Sequence, residues 1–191
     1  MRLRTSMKPT DEPSLAKGNL VPTTHFGPKL LILMRHAKSD WANSDQTDHQ
    51  RPLNGRGREA ADRMAEWISA EVGVPDVVLC SSSRRTRETV ERMMAIWFTV
   101  TEVMFRDELY HAPSPQILKN IVRDGLGAQR LMVVGHNPGM EDLASGLSGK
   151  QLAFPTAAVA AFALNSELNW ADLRDGSQVR LVRLARPKEL P

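Results

Sequence analysis

Cysteine is all but missing from this chain. Cys80 is the only one among 191 residues. That excludes an internal disulfide and suits a reducing compartment, so the expected location is cytoplasmic. No stretch approaches the roughly 18 consecutive apolar residues of a membrane span, and the first residues lack the apolar core of a secretory signal. No membrane partner is expected. Aromatic residues make up only 5%, with no long basic stripe running between them, so no nucleic-acid partner is expected either. Gly-x-x-x-x-Gly-Lys-Ser/Thr is absent, which removes P-loop chemistry, as is the Gly-x-Ser-x-Gly elbow of serine hydrolases. No His-x-x-x-His pair, carboxylate cluster or Cys/His cluster stands at ligand spacing, so no metal and no cofactor are expected.

What is present suits one globular domain. The chain is 41% hydrophobic and 25% charged, ordinary values for a fold able to bury a core unaided. Net charge is only +3, but arginines gather near the motifs below, a local excess suited to an anionic substrate. Met1 to Pro28 hold four of the twelve prolines and no apolar periodicity, and read as a flexible N-terminal arm, residues 1–28. Arg2, Arg4, Lys8 and Lys17 would fit an organelle-targeting peptide; Asp11 and Glu12 count against one. The domain, residues 29–191, begins at Lys29.

Leu30-Leu31-Ile32-Leu33-Met34-Arg35-His36 organises the rest. It is an apolar run of buried-strand length that ends in an arginine and a histidine. Taken alone it is equally a strand end with two polar residues facing water. Arg56 to Glu71 reads as a helix with Ala60, Met64, Ile68 and Val72 on one stripe, Asn54 as its cap, and Gly73 and Pro75 after its end. Val77 to Cys80 reads as a strand. Ser81-Ser82-Ser83 then starts a helix to about Phe98, with Thr86, Val90, Met93, Met94 and Trp97 inside. Thr101 to Phe105 is a third strand. Ser114-Pro115 reads as cap and first-turn proline of a helix that faces Ile117, Leu118, Ile121 and Val122 inward. Arg130 to Gly135 is a fourth strand with His136 directly after it. Asn137-Pro138 repeats the cap-and-proline pattern before a helix with the stripe Met140, Leu143, Ala144 and Leu147. Ala157 to Leu164 and Val179 to Leu184 read as two strands without a helix between them, closing one edge of the sheet. Their connection carries Asn165, Asn169 and Asp175-Gly176. This alternation predicts an α/β three-layer sandwich, a mainly parallel central sheet with helices on both faces.

In such a sheet ligands bind beyond the carboxyl ends of the strands. The first strand ends in Arg35-His36, the second leads to Arg85 in a helical first turn, and the fourth ends in Gly135-His136. Two arginines, two histidines and two helix N-termini at one edge suit a doubly charged tetrahedral anion. A neutral imidazole there can attack phosphorus and form a covalent intermediate.

At these residues the chain resembles a known family. LILMRHAKSDW is similar to the Arg-His-Gly signature of the histidine phosphatase superfamily, whose fold is phosphoglycerate mutase-like. RPLNGRGREAA resembles the segment that follows it, CSSSRRTRETV the block with the second phosphate-binding arginine, and VVGHNPG the block with the second histidine. The combination is most similar to short phosphohistidine phosphatases of the SixA type, from about Lys29 to Leu164. Ala37 departs from the pattern by standing where the signature has glycine.

The resemblance implies that His36 is the nucleophile, that Arg35, Arg85 and His136 hold the phosphoryl oxygens, and that Glu108 is the candidate proton donor. It implies a metal-independent phosphatase hydrolysing phosphohistidine in a protein. A small phosphorylated substrate, cleaved by a phosphomonoesterase or rearranged by a phosphosugar mutase, is the alternative, and a non-catalytic phosphate-binding module a third. Lys38 and Ser39 are either phosphate contacts or loop solvation, and Arg51 either guides a protein substrate or is a surface arginine. Arg84 and Arg87 should face away from Arg85. His111 is expected at the pocket rim, His25 and His49 as bystanders, and Cys80 as a buried strand residue.

Overall fold

The computed structural model describes residues 28–125, 127–174 and 179–190. The arm expected over residues 1–28 lies, except for Pro28, outside the described residues, as does the Asp175-Gly176 turn.

Six strands form one sheet in the order β3-β2-β4-β1-β5-β6. These are β1 (Leu30–Arg35), β2 (Val77–Ser81), β3 (Glu102–Arg106), β4 (Arg130–Gly135), β5 (Val159–Leu164) and β6 (Val179–Ala185). The first four are mutually parallel; β5 runs antiparallel to β1, and β6 antiparallel to β5. The last two strands therefore close one edge, as the expected pair without an intervening helix predicts.

The helices are α1 (Gly55–Glu71), α2 (Arg84–Trp97), α3 (Ser114–Asp124) and α4 (Gly139–Ser148). Their layering follows from handedness. Right-handed crossovers from β1 to β2 and from β2 to β3 move in one direction along the sheet and put α1 and α2 on the same face. The return from β3 to β4 puts α3 on the other, where α4 joins it. Strand residues alternate accordingly. Leu31, Leu33, Leu79, Leu131 and Val133 pack with Ile117, Ile121, Leu143 and Leu147. Ile32, Met34, Val78, Met132 and Val134 pack with Met64, Ile68, Val90 and Met93. Each such fully buried aliphatic side chain contributes about 1.5–3 kcal/mol.

Local signals held in part. The Asn54 side chain caps α1 by accepting from the Gly57 N–H at 2.8 Å. The buried stripe of α1 is Gly57, Ala61, Met64, Ala65 and Ile68, so it is turned toward Ala61 and Ala65, with Ala60 and Val72 at its margin. The reason is close approach to α2: the Trp97 indole donates to the Ala65 carbonyl at 3.0 Å, and only a small residue admits it. Ser114 does not cap α3. It is already helical, Pro113 precedes it, and no side-chain cap bond forms. Asn137 likewise does not cap α4, which Pro138 precedes. Among the described residues no helix is long and apolar enough to cross a membrane.

Candidate active site

The carboxyl ends of β1, β2 and β4 are neighbours, and the predicted residues meet there. The His36 N–H donates to the Gly135 carbonyl at 3.0 Å, extending the β1–β4 pairing one residue past the strands. Ala37 is fully buried and its N–H donates to Thr89 Oγ1 at 3.1 Å. It does not adopt a left-handed backbone, so the methyl in place of glycine costs little.

His36 has its two nitrogens in different roles. Nδ1 lies 2.7 Å from the Ala37 carbonyl oxygen, an acceptor, so Nδ1 carries the proton. Nε2 accepts from Arg85 Nε at 3.2 Å and carries the lone pair. Burial, aided by the charges of Arg85, Arg35 and Arg51 and opposed by the Ala37 contact, lowers the ring's pKa to about 3. His36 is neutral at physiological pH.

Arg85 holds the centre. Its side chain is 1% exposed. Besides His36 it donates from Nη2 to His136 Nδ1 at 3.2 Å and from Nη1 to the Asp48 carbonyl at 2.5 Å. An arginine N–H on His136 Nδ1 requires the Nε2–H tautomer, and that N–H donates to Ser81 Oγ at 2.8 Å. Burial, with His36, Arg85 and His111 nearby, lowers the His136 pKa to about 2. The two histidine rings lie 5.0 Å apart. Arg35 Nη1 donates to the Phe154 carbonyl at 3.1 Å, while its Nε is buried without a partner among the described residues. Burial lowers the pKa of Arg35, partly offset by Glu141. Arg84 and Arg87 face elsewhere, bonded to Glu88 and the Ser82 carbonyl.

These side chains line a cavity of about 530 Å³ that also takes in Lys38, Ser39, Asp48, Arg51 and His111. Glu108 is not among them. Its carboxylate faces Arg123 at 3.3 Å on the outer surface, and its pKa is lowered by a hydrogen bond from the backbone and by Arg123. The 3-10 turn Asp107–Leu109 buries Leu109, which turns the preceding residue outward. Tyr110 and His111 then bring the chain back to the pocket.

Comparison with known proteins places the chain in a family. A family model of the histidine phosphatase superfamily (branch 1) matches residues 31–109. An uncharacterized chloroplastic protein of Arabidopsis thaliana is 32% identical over 169 residues, 78% of this chain and 77% of that protein. An uncharacterized protein of Mycobacterium tuberculosis is 32% identical over 154 residues, 75% of this chain and 93% of that protein. The chain belongs to the histidine phosphatase superfamily. A candidate phosphohistidine phosphatase SixA from Nakamurella multipartitia has a TM-score of 0.73 at 28% identity, covering 85% of this chain and 98% of its own. A second, from Agrobacterium tumefaciens, has 0.71 at 28%, covering 84% and 99%. The fold is thus phosphoglycerate mutase-like, and membership with these neighbours indicates a phosphatase.

Several residues of the candidate site carry no signal in the sequence of this histidine phosphatase superfamily member. Asp48 is the foremost. Its Oδ2 accepts from Arg85 Nη2 at 2.9 Å, Tyr110 Oη at 2.6 Å and His111 Nε2 at 3.1 Å, and its Oδ1 from Arg51. Desolvation opposes ionisation, but these donors and the Arg85 charge overcome it and hold the carboxyl well below the usual range. Arg51 is no surface arginine: it is 8% exposed and stacks on Trp41 at 3.4 Å. Ser81, expected to start a helix, is a fully buried strand end bonded to His136. His49, expected as a bystander, bonds Ser82 Oγ at 3.1 Å and meets the Tyr110 ring edge. Three aspartates, Asp40, Asp45 and Asp48, lie in the same aperiodic loop, and only tertiary contact distinguishes the third.

Proposed function

We propose that this protein is a metal-independent phosphatase that hydrolyses phosphohistidine in a protein substrate, through a phosphoryl group carried on His36. On this reading the catalytic domain spans residues 29–191. His36 Nε2 attacks phosphorus, the bond from phosphorus to the substrate imidazole breaks, and phospho-His36 forms. Water then attacks phosphorus in line, releasing orthophosphate and restoring His36. Arg35, Arg85 and His136 surround the phosphoryl oxygens. Arg85 must exchange its bonds to the two imidazoles for bonds to the anion, which frees the Nε2 lone pair as the substrate arrives. Preorganised donors of this kind suit phosphoryl transfer, where positioning and charge stabilisation dominate.

The observation that carries the substrate class is the state of the pocket's acid. Asp48 is the one carboxylate among the lining residues, and it is held ionised. Glu108 is turned away to Arg123. Tyr110 has its pKa raised by burial and by Asp48, which weakens it as a donor. A sugar or serine alkoxide is a very basic leaving group that needs a proton from an acid. A phosphoimidazole protonated on its far nitrogen leaves as neutral imidazole and needs none. Among the described residues no group of three or more His, Cys, Asp or Glu is arranged to hold a metal ion.

The test is turnover of a phosphohistidine peptide against p-nitrophenyl phosphate without added metal, with trapping of an acid-labile phosphoenzyme. Hydrolysis of the peptide, labelling of wild type and loss of both in His36→Ala are the expected results. Turnover of the ester alone would move the protein to small phosphoesters. Phosphate binding without turnover of any phosphorylated compound would make it a binding module.

A further inference from the structure

We propose that a basic groove leading out of the candidate site is a docking surface for an acidic stretch of the phosphoprotein substrate, an inference that rests on the function proposed above. The groove, about 520 Å³, shares Lys38, Pro155 and Thr156 with the pocket around His36. From there it runs between the N-terminal half of α1 and the segment that follows β6. Its walls carry five cationic side chains against two carboxylates, Glu59 and Glu189. Glu189 is already taken by Arg186 at 2.8 Å, which leaves Lys38, Arg56 and Lys188 facing the one remaining carboxylate, Glu59.

Three of the cations are unsatisfied. Lys38, Arg56 and Lys188 make no side-chain hydrogen bond or ion pair among the described residues. Arg56 is also badly placed for its own helix. It sits in the first turn of α1, which contains no acidic residue, where the helix macrodipole favours anions and disfavours cations. An external carboxylate would relieve that repulsion and bond both the arginine and the free N–H groups of the turn.

The chemistry of the walls selects the occupant. No aromatic side chain lines the groove, so it lacks the stacking platforms on which single-stranded nucleic acids rest. Charged rims of this kind raise association rates and impose salt dependence more than they raise intrinsic affinity. That is how an enzyme acting on a partner protein would gather it, with the phosphoryl group entering at His36 and acidic residues lying along α1.

The experiment compares two phosphohistidine peptides of equal length, one flanked by glutamates and one by glutamines, on wild type and on the double variant Arg56→Glu, Lys188→Glu. Both positions are exposed and outside the catalytic set. At low salt wild type should process the acidic peptide with kcat/KM higher by about tenfold, and the preference should vanish in the variant and in about 0.5 M salt. Turnover of p-nitrophenyl phosphate should not change. Equal kcat/KM for the two peptides in wild type, or a preference that survives in the variant, overturns the proposal. Fluorescence anisotropy with a labelled glutamate-rich peptide lacking any phosphoryl group gives a second measurement that does not need turnover. If neither phosphohistidine peptide is hydrolysed, the phosphohistidine reading fails, and this binding decides the groove alone. Binding that weakens in the variant supports the groove, and binding that is equal in both proteins refutes it. Tighter binding of a single-stranded DNA of matched charge, lost in the variant, would assign the groove to nucleic acid and also refute the proposal.

Discussion

Lowering the pH from 7.5 to 5 should remove about 4 kcal/mol of folding stability, through His36 and His136. Both rings stay neutral in the fold, with pKa values near 3 and 2, against 6.5 as the ordinary value. Their folded pKa values are depressed, so between the two limits the unfolded chain binds two protons that the folded chain does not. Stability is therefore complete above pH 6.5 and falls as the pH drops. Each proton is worth about 1.4 kcal/mol per pH unit, and by pH 5 each ring has cost about 2 kcal/mol. That is a large share of the 5–15 kcal/mol (roughly) that holds a typical domain together. Asp48, whose pKa is also lowered, adds its loss only below the ordinary carboxylate range, so the window above pH 5 isolates the histidines.

The assay is urea unfolding followed by tryptophan fluorescence, since Trp97 and Trp170 are buried. Buffers must be free of phosphate, because an anion bound only by the folded state would stabilise it. His36→Asn should roughly halve the drop, to about 2 kcal/mol. A change below about 1 kcal/mol across the window, or an undiminished drop in the variant, would refute the claim that burial keeps these rings neutral. The same depressed pKa implies that His36 imposes no acidic limb near pH 6.5 on kcat/KM.

Ser81→Ala leaves the His136 Nε2–H buried without an acceptor. It should cost about 1–3 kcal/mol in urea unfolding and lower kcat about ten- to hundredfold by loosening the ring. Glu108→Gln should change kcat/KM by less than about twofold, since its partner Arg123 is a surface residue. Asp48→Asn removes the internal counter-anion of Arg85 and Arg51 and should tighten inhibition by inorganic phosphate about tenfold; unchanged inhibition would show that Asp48 does not compete for those donors. Gly57→Ala would place a Cβ 2.0 Å from the Lys38 carbonyl oxygen, forcing α1 off the loop behind His36, at about 2–4 kcal/mol by chemical denaturation.

The layers and the sheet edge were legible because they rest on periodicity. Strands of β1 and β4 type, buried on both faces, read as unbroken apolar runs, and the stripe Met140, Leu143, Ala144, Leu147 of α4 is buried as expected. The convergence of Arg35, His36, Arg85 and His136 followed from parallel strands alone. Helix starts were less legible: a serine or asparagine before a proline offers a cap, but α3 begins one residue early, with Pro113 at the cap position and Ser114 already helical, and the Asn137 side chain is bonded elsewhere. The Asn137 amide donates to the Phe154 carbonyl at 2.9 Å and to Glu141 at 3.1 Å, which ties the loop after β4 to the segment that carries Arg35's own acceptor.

Glu108 and Asp48 show why the acid was the hardest part to read. Both lie in loops without periodicity, and chain order favours Glu108, which follows a strand of the parallel sheet. But β3 is the edge strand, three places from β1, and its end is not at the cleft. Asp48 comes from the long β1–α1 connection, whose path no local pattern fixes, and it reaches Arg85 because Arg85, Tyr110, His111 and Arg51 all donate to it. A carboxylate held by four donors is a poor proton source and a good stand-in for an anion. The site is thus already arranged around one negative charge. On the proposed function, a phosphoryl group entering it would inherit donors that are aligned in advance, and would need from its leaving group a basicity low enough to do without an acid.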